Sequence, residues 1–480
     1  MDPVDRAWLE MDTPTNPMVV ASIMEFEDVA DAGALCRLLV EKTLLVRRFR
    51  QRVTVVDGTY CWVEDDDVHL GYHVQTRRLD PAAGDTALRA AIATEFAHPL
   101  DRALPLWRIA LFLRGHGRVT MLFRAHHAIA DGVAMMRLML ALADGAPPHF
   151  STPLARIPRH HGPLGGLIDR IETVNVTLEN LTGLFIDDVR HPGKFRHQVA
   201  ELRRMLAAVG RVLTLPNDHP PRLRARLSGR RAVAWTSNLS LAEVRRLAHA
   251  QGVTLNDVFL TALSGAFGRW LKRQDGSLPE QQNLRVAVPV NLRADGDHSL
   301  GNSFGLVLVD LPVGLEGWHA RLDVIADRTA ALKGSAEARA VLGALAAVGR
   351  LPVAIEKPLI RLLGGKSAAV VSNLPGPREA LTVGGARVAN SVFWPPQAAG
   401  IGIGVSLLSY AGHVTVGISV DTALVPDPQQ LIDAFHAELS DMLGRSPALP
   451  AAAPRRRPKA ARTPPTRTSR STTGDHHVQT

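Results

Sequence analysis

Apolar positions along the first 160 residues alternate between the spacing of strands and that of helices. Residues 18–26 (MVVASIMEF) and 118–125 (RVTMLFRA) are rich in β-branched and aromatic residues, which is typical of strands. Residues 32–45 instead carry leucines at helical spacing. Residues 144–153 (DGAPPHFSTP) hold proline and glycine at a density that can continue neither element. We therefore predict a first α/β unit over residues 1–160.

The following stretch, residues 161–228, has a different pattern of apolar and polar residues. Over residues 164–188 apolar side chains recur every three or four positions, which places them on one face of a helix. A second apolar stripe, over residues 199–213, is interleaved with arginines. Either both stripes pack on the protein, or they form a surface that meets lipid, which the basic flank of the second stripe would suit. The pattern predicts an amphipathic helical crossover between two units.

From residue 229 the pattern of a mixed α/β unit returns and continues to residue 445. Ser240 with Glu243, and Thr254 with Asp257, have the spacing of residues that begin helices by capping. Strands are predicted at residues 283–292, 304–313, 367–374, 400–410 and 413–421. Segment 339–352 and a final helix near 428–443 complete the unit. The expected fold class is α/β of the α+β type, with two domains that are each a mixed sheet covered by helices.

Length, composition and charge agree with this layout. A chain of 480 residues exceeds the roughly 250–300 residues that one core supports, and 46% apolar with 21% charged residues is ordinary for a globular protein. Residues 446–480 hold seven basic residues and one acidic residue, so this tail carries +6 of the net +9. The low charge of the rest argues against nucleic-acid binding. We expect the tail to be disordered, either solubilising the protein or contacting anionic lipid.

Targeting signals and cysteines restrict the compartment. Cys36 and Cys61 are too few for a disulfide framework and lack metal-ligand spacing. The acidic, proline-interrupted N-terminus does not fit a signal peptide, and no uncharged apolar run reaches the roughly 18 residues of a membrane span. The sequence therefore predicts a cytoplasmic protein that meets membranes peripherally, if at all.

The motif that carries chemistry is RAHHAIADGVAMM, residues 124–136. It places His126 and His127 where a strand ends, and Asp131 and Gly132 where a helix over residues 132–143 is predicted to begin. Adjacent residues on an extended backbone point in opposite directions, so the two imidazoles are poorly placed to share one metal ion. The Asp131 carboxylate is well placed to cap the helix. This structural role leaves the histidines unexplained.

General acid–base chemistry accounts for the imidazoles. Histidine titrates near physiological pH, so it can take up and return a proton within one catalytic cycle. With opposite orientations, one histidine would face a cleft and the other would pack inward. We therefore expect the two to play different parts.

HHAIADG resembles the HHxxxDG signature of the CoA-dependent acyltransferase superfamily. The surrounding motifs resemble those of bacterial wax ester synthase/diacylglycerol acyltransferases, in the same order, and the opening DPVDRAWLEMDTPTNPM is similar to the start of that family. These motifs are PLW (105–107), LNDVFLTAL with Asn256 and Asp257, VPVNLR ending at Arg293, GNSFG (301–305), SNLPGP (372–377) and SYAGHVTVGISVD (409–421). The resemblance covers residues 3–443. Leu374 departs from it, since the family often has valine there.

The resemblance implies two chloramphenicol-acetyltransferase-like domains with a tunnel between them that passes the histidine motif. Acyl-CoA would enter this tunnel from one end, and diacylglycerol or a long-chain alcohol from the other. No cofactor or metal is implied, because acyl-CoA is a substrate. The lipid substrates imply contact with a membrane or lipid-droplet surface.

The resemblance also gives each motif residue a role. His127 would be the general base that removes the hydroxyl proton and then protonates the departing CoA thiolate. His126 would support His127 from behind, and Asp131, next to Gly132, would orient the loop. Arg293 is the expected partner of Asp131 from the other domain.

The remaining motif residues have both structural and functional interpretations. Asn256 and Asp257 either cap a helix or shape the acceptor or CoA end of the tunnel. Ser372 and Asn373 either border the tunnel or offer a donor to the developing oxyanion, and we favour the wall. Trp107 either belongs to the core or touches substrate.

Two further functions stay open at this point. One keeps the fold but takes another hydroxylated acceptor, such as a polyketide-derived diol, or a carrier-bound thioester donor. The other is a lipid-binding protein without activity, against which the intact His126, His127 and Asp131 argue.

Overall fold

A computed structural model describes most of the two predicted α/β units. The described residues are Met1, 3–56, 59–145, Gly210, 220–236, 239–291, 304–334 and 365–444. Several predictions lie outside them, namely most of the crossover 161–228, Arg293, the segment 339–352 and the tail 446–480.

Helices and strands alternate through the first half of the chain. In order they are α1 (Pro3–Met11), β1 (Val19–Glu27), α2 (Ala32–Leu45), β2 (Gln51–Val56), β3 (Thr59–Glu64), α3 (Leu70–His73), β4 (Val74–Arg78), α4 (Gly84–Ala97), β5 (Trp107–Gly115), β6 (Arg118–His126) and α5 (Gly132–Ala141). The strands and helices predicted at 18–26, 32–45, 118–125 and 132–143 are confirmed within two residues at each end.

The second half follows the same style. In order the described elements are β7 (Arg231–Trp235), β8 (Leu239–Ser240), α6 (Leu241–Gln251), α7 (Leu255–Asp275), β9 (Leu284–Asn291), β10 (Phe304–Leu311), α8 (Trp318–Gly334), β11 (Ala369–Pro375), β12 (Thr382–Val383), β13 (Ala386–Trp394), β14 (Ile403–Tyr410), β15 (His413–Asp421) and α9 (Gln429–Gly444). Both capping predictions are confirmed, because Ser240 accepts from the Glu243 N–H and Thr254 forms a capping box with Asp257.

The first sheet has six strands in the order β12-β13-β1-β6-β5-β4. Its neighbours are antiparallel except for β4 and β5, which run parallel. Strand β6 lies between β1 and β5, and it is buried from Val119 to His126. The strand that leads into the histidine motif is therefore held on both sides.

Among the described residues the second sheet has seven strands, with the order β10-β9-β11-β14-β15-β7 and β8 paired to β15. It is also mixed, because β11 runs parallel to both β9 and β14 while the other pairs are antiparallel. Helices α6, α7, α8 and α9 pack together over this sheet and share its apolar core. The α7 segment from Asp257 to Gly268 is buried all round, so α7 is the central helix of this layer.

The two sheets meet through β13 and β14. The Ser406 hydroxyl on β14 donates to the Phe393 carbonyl on β13, and Val392 and Trp394 join a buried cluster with Val233 and Trp235 of β7. Helix α4 adds its apolar side to this cluster. The two sheets therefore share a packed boundary in addition to their own cores.

Strands β12 and β13 correct one part of the domain prediction. Residues 382–394 fall within the predicted second unit, 229–445, but belong to the first sheet, where β13 pairs with β1 and β12 pairs with β13. The pairing partner of a strand depends on contacts far apart along the chain, which local patterns do not specify. The first sheet is thus built from both halves of the chain.

Candidate active site

The histidine pair sits where β6 ends, fixed by backbone hydrogen bonds to both neighbouring strands. The His126 N–H donates to the Leu106 carbonyl at 2.9 Å, before β5, and the His127 N–H donates to the Met18 carbonyl at 2.8 Å, before β1. Because the two bonds run to opposite sides, the backbone cannot turn or slide at this point. The sheet thereby sets the direction of both imidazoles.

His126 is buried and neutral. Its Nδ1 accepts from the Ala128 N–H at 3.1 Å, which leaves the ring proton of the neutral form on Nε2. Burial, together with the charges of Arg102 and His127, lowers the pKa of His126 to about 3. The ring Nε2 lies 3.9 Å from Asp12 Oδ2. His126 is therefore a fixed neutral group at ordinary pH.

His127 lies under an aromatic ring. Its side chain stacks on Trp8 of α1, with 4.1 Å between ring centroids and 29° between planes. Both rings are buried, His127 at 5% exposure and Trp8 at 8%. The two rings thus have different described contacts: the His126 ring accepts a backbone N–H, and the His127 ring stacks on an indole.

Asp131 begins the helix that follows. Its carboxylate accepts from the Ala134 N–H at 2.8 Å, and its carbonyl accepts from the Met135 N–H at the same distance. This is the N-cap geometry that the sequence predicts for residue 131. The predicted pairing with Arg293 stays a prediction, since Arg293 lies outside the described residues.

Gly132 brings the histidine motif against SNLPGP. A Cβ at Gly132 would lie 3.2 Å from Leu374 Cδ1, so α5 begins directly beside the end of β11. Ser372 shares the Leu374 face of β11 by strand alternation and is 8% exposed, whereas Asn373 points to the other face and is exposed. Two motifs that are about 240 residues apart thus meet at one place in the fold.

A narrow apolar crevice lies beside the second half of α5. Its walls come from β1, α5, the segment after β11, β13 and β14, and they include Met24, Met136, Met139, Leu381, Leu408 and Tyr410. The volume is about 10 Å³, the space of one water-sized sphere. Methionine side chains repack easily, so the crevice has walls that can adapt to an alkyl chain.

The surroundings of Trp107 favour the core over substrate contact, the two interpretations that the sequence left open. It is fully buried, its Nε1 donates to the Phe49 carbonyl at 2.8 Å, and its ring stacks on His73 with 4.4 Å between centroids. Both the hydrogen bond of its indole N–H and the stacking of its ring are made to residues in the core of the first sheet. Trp107 is a core residue that supports β5 beside the histidine strand.

Asp257 and Asn256 lie at the start of α7. Asp257 is buried, and Oδ2 accepts from the Thr254 N–H and hydroxyl at 2.9 and 2.7 Å. Oδ1 accepts from the Thr329 hydroxyl of α8 at 2.6 Å. These contacts make Asp257 a cap and a tie between two helices, while Asn256 is half-buried.

Several residues around the histidines escaped the sequence analysis. Trp8, Asp12 and Met18 all belong to the N-terminal segment, and Arg102 reaches it by donating to the Leu9 carbonyl at 2.6 Å and to Asp12 Oδ2 at 3.2 Å. The opening of the chain was among the motifs that resemble the family, which marked this segment as relevant. No pattern in the neighbouring sequence, however, linked it to residue 127. Among the described residues, no group of three His, Cys, Asp or Glu side chains is placed to hold a metal ion.

Two family models match the chain. The model described as "Wax ester synthase/diacylglycerol acyltransferase catalytic domain" matches residues 1–259, more than half of the chain. The model described as "WS/DGAT C-terminal domain" matches residues 300–443. Together they cover the histidine motif, the first sheet and every strand of the second sheet except β9.

Two proteins of Mycobacterium tuberculosis H37Rv, each named "Putative diacyglycerol O-acyltransferase", are 28% identical to this chain. One alignment covers 94% of this chain and 92% of the relative, and the other covers 92% and 99%. The similarity thus extends over nearly the whole length of both chains.

Solved structures show the same fold. The wax ester synthase/diacylglycerol acyltransferase from Marinobacter aquaeolei VT8 superposes with a TM-score of 0.66 at 22% identity, over 92% of this chain and 100% of that one. The starter condensation domain of rhizomide synthetase, solved with C8-CoA, superposes with a TM-score of 0.56 at 14% identity, over 92% and 94%. The predicted α/β fold class is confirmed.

Proposed function

The chain belongs to the wax ester synthase/diacylglycerol acyltransferase family of acyltransferases, and on that premise we propose that it transfers an acyl group from acyl-CoA to a lipid alcohol. The acceptor is diacylglycerol, a long-chain alcohol, or both, and the product is triacylglycerol or wax ester. The observation that carries the proposal is the histidine pair, held at the end of β6 where α5 meets SNLPGP.

In the proposed reaction His127 is the general base. It takes the hydroxyl proton as the alcohol oxygen attacks the thioester carbonyl and forms the new C–O bond. The tetrahedral intermediate then loses the C–S bond, and His127 returns the proton to the CoA thiolate. A positioned base contributes roughly 10²–10⁴-fold in rate. No covalent acyl-enzyme is required, because the thioester is already activated.

His126 and Asp131 support this step without proton transfer. A group whose pKa is about 3 stays neutral at working pH, so His126 adds no charge beside the base. The Asp131 carboxylate accepts the Ala134 N–H and so caps the start of α5. Both residues keep the turn between β6 and α5 in one conformation, which suits a reaction that depends on orientation.

The apolar crevice supports a lipid substrate. It runs beside α5 and is lined mainly by methionine and leucine, together with Pro377, Val388, Ser391 and Tyr410. The Tyr410 hydroxyl donates to the Val388 carbonyl and accepts from the Leu381 N–H, so its ring presents an apolar face. An alkyl chain would widen the crevice by moving Met136 and Met139. A structural neighbour that was solved with C8-CoA supports a CoA-bound donor.

The test is ester formation by the purified protein from radiolabelled palmitoyl-CoA with diacylglycerol and, separately, hexadecanol. We expect His127→Ala to lower kcat by roughly 10²–10⁴-fold. His98→Ala is the matched control, since His98 is exposed and its side chain bonds only the Thr94 carbonyl among the described contacts. Wild-type protein that forms no ester with either acceptor would refute the proposal. Activity confined to a diol or to a carrier-bound donor would redirect it to the same-fold alternative.

We also propose that the protein acts at a membrane or lipid-droplet surface, because its proposed substrates are lipids. No helix among the described residues is long and apolar enough to cross a bilayer. The +6 charge of residues 446–480 supports attraction to anionic lipid. Flotation with anionic and neutral vesicles, with and without those residues, tests the tail, and equal binding of both forms would remove its role.

A further inference from the structure

The N-terminal segment, residues 1–18, encloses the histidine pair from one side. Trp8 covers the His127 ring, and the Met18 carbonyl accepts the His127 N–H at 2.8 Å. Asp12 Oδ1 in turn accepts the Met18 N–H at 2.8 Å. One short segment therefore holds both the ring and the backbone of His127.

We propose that Trp8 is a positioning residue for His127, fixing the plane of its imidazole during acyl transfer. The inference rests on the function proposed above. It adds a residue of α1, an element outside the histidine motif and outside the residues to which the resemblance gave a role. Trp8 touches the base and acts on the reaction through it.

The stacking geometry gives Trp8 this capacity. Rotation of a histidine ring about χ2 is broad when nothing packs on it. A flat indole at 4.1 Å permits the ring to slide but blocks its rotation, since turning would drive the imidazole edge into the indole face. The proton-accepting nitrogen of His127 then keeps one direction.

Trp8 is itself fixed in position, so it can restrict the orientation of the His127 ring. It belongs to the apolar core of the first sheet. The end of α1 is pinned from outside by Arg102, which donates to the Leu9 carbonyl at 2.6 Å. The start of the chain is tied down too, because the Met1 amino group donates to the Tyr60 carbonyl at 3.0 Å. Helix α1 therefore cannot swing away without breaking contacts at both ends.

The aromatic face suits the charge that appears on His127. General-base catalysis makes the imidazole positive while the tetrahedral intermediate exists. The face of an indole attracts a cation, with most effect where water is excluded. Trp8 thus favours the charged form that is present only during the reaction, which affects kcat more than substrate binding.

The experiment compares Trp8→Leu, Trp8→Phe and Trp62→Leu. Leucine keeps an apolar volume without an aromatic face, and phenylalanine keeps the face. Trp62 is the matched control, because it packs against the same core but lies under Arg48. Circular dichroism and thermal melting establish that each variant is folded.

We expect Trp8→Leu to lower kcat by about tenfold to a hundredfold, the effect of a misplaced catalytic group. KM for acyl-CoA and for the alcohol should stay within about twofold, since substrate binding is not touched. Trp8→Phe should recover most of kcat, and Trp62→Leu should resemble wild type. A Trp8→Leu enzyme with wild-type kcat, or equal losses in Trp8→Leu and Trp62→Leu, would overturn the proposal.

A second readout does not use turnover. Diethylpyrocarbonate modifies neutral histidine, and peptide mass spectrometry reports modification of residue 127 alone. We expect faster modification of His127 in Trp8→Leu than in wild type or Trp62→Leu, and equal rates would count against Trp8 as the cover. If wild type makes no ester, the proposed function fails. If wild type is active and Trp8→Leu equals it, the positioning role alone fails.

Discussion

Glu438 of α9 and His126 at the end of β6 are both buried ionisable side chains, 4% and 2% exposed, in opposite surroundings. Glu438 Oε1 accepts from Arg269 Nε at 2.6 Å, and its other oxygen accepts from Arg321. His126 Nε2 lies 3.9 Å from Asp12 Oδ2, beyond hydrogen-bond distance. The helical layer buries a charge with its counter-charges, whereas the site buries an imidazole that has lost its charge.

This difference in charge distinguishes a region that stabilises the fold from the region that is proposed to carry the reaction. Gly265 of α7 makes room for the paired carboxylate, since a Cβ there would lie 2.2 Å from Glu438 Cδ. Glycine at this position lets α7, α8 and α9 join through one ion network. At the site, the neutral His126 ring places no fixed charge beside the proposed base. Ion pairing stabilises the helical layer. At the histidine pair, a buried neutral ring adds no charge that would oppose proton transfer by His127.

The largest effect should follow from breaking the paired cluster. Glu438→Ala leaves the Arg321 guanidinium buried without its carboxylate, so we expect the free energy of unfolding to fall by about 3–5 kcal/mol. Urea denaturation measures this loss. Asp441→Asn is the control, because Asp441 pairs with the same Arg269 but its side chain is 43% exposed. That variant should lose at most about 1 kcal/mol. Equal losses would mean that burial does not set the value of the network.

The next effect concerns the neutral imidazole. The pKa of His126 is about 3 in the folded protein against an ordinary 6.5, so the unfolded chain binds a proton that the folded one does not between those values. Stability should therefore fall as pH falls below 6.5, by about 1.4 kcal/mol per pH unit from this group.

His126→Asn isolates that contribution. Asparagine keeps an acceptor near the place of Nδ1 but does not titrate. Burial also lowers the pKa of His73 and His436, and both remain in the variant. Urea denaturation between pH 7 and pH 4.5 should give a shallower slope for the variant by about one bound proton. Identical slopes would show that His126 is not buried neutral.

The smallest effect sharpens the contact between motifs. Gly132→Ala should push on Leu374 and lower kcat/KM severalfold, and Leu374→Val should restore most of the loss, with a coupling energy of about 1 kcal/mol. Gly71→Ala is the control, because a Cβ at Gly71 would meet nothing within 4 Å. Additive effects of Gly132→Ala and Leu374→Val would indicate that the two residues do not touch during catalysis.

Local signals in the sequence were enough to predict the centre of the site. Strand 118–125 followed by Asp131 predicted β6, the cap and α5, because a run of buried apolar residues and a capping carboxylate act over a few positions. The starts of α6 and α7 were predicted for the same reason. The family resemblance supplied the chemistry for His127, which periodicity alone does not.

Long-range packing was out of reach. Trp107 kept two interpretations, core or substrate contact, because an aromatic beside a motif has no local feature that distinguishes the two. The first turn of α1 went unrecognised because Pro3 suggests an interruption, although proline is favoured at the first position of a helix. Trp8 could be linked to His127 only through a fold that brings residue 8 beside residue 127.

The position of strand β13 late in the chain affects how the protein folds during its synthesis on the ribosome. Strand β1 lies between β6 and β13, and β13 ends at Trp394. Until that residue has left the exit tunnel, the edge of β1 has no partner and offers its free backbone groups to other nascent chains. Strand β1, which directly follows Met18, gains its pairing with β13 only when about four-fifths of the chain has been made. Catalytic competence is therefore one of the last properties that the growing chain acquires, and a fragment that ends before β13 should need that strand supplied in trans.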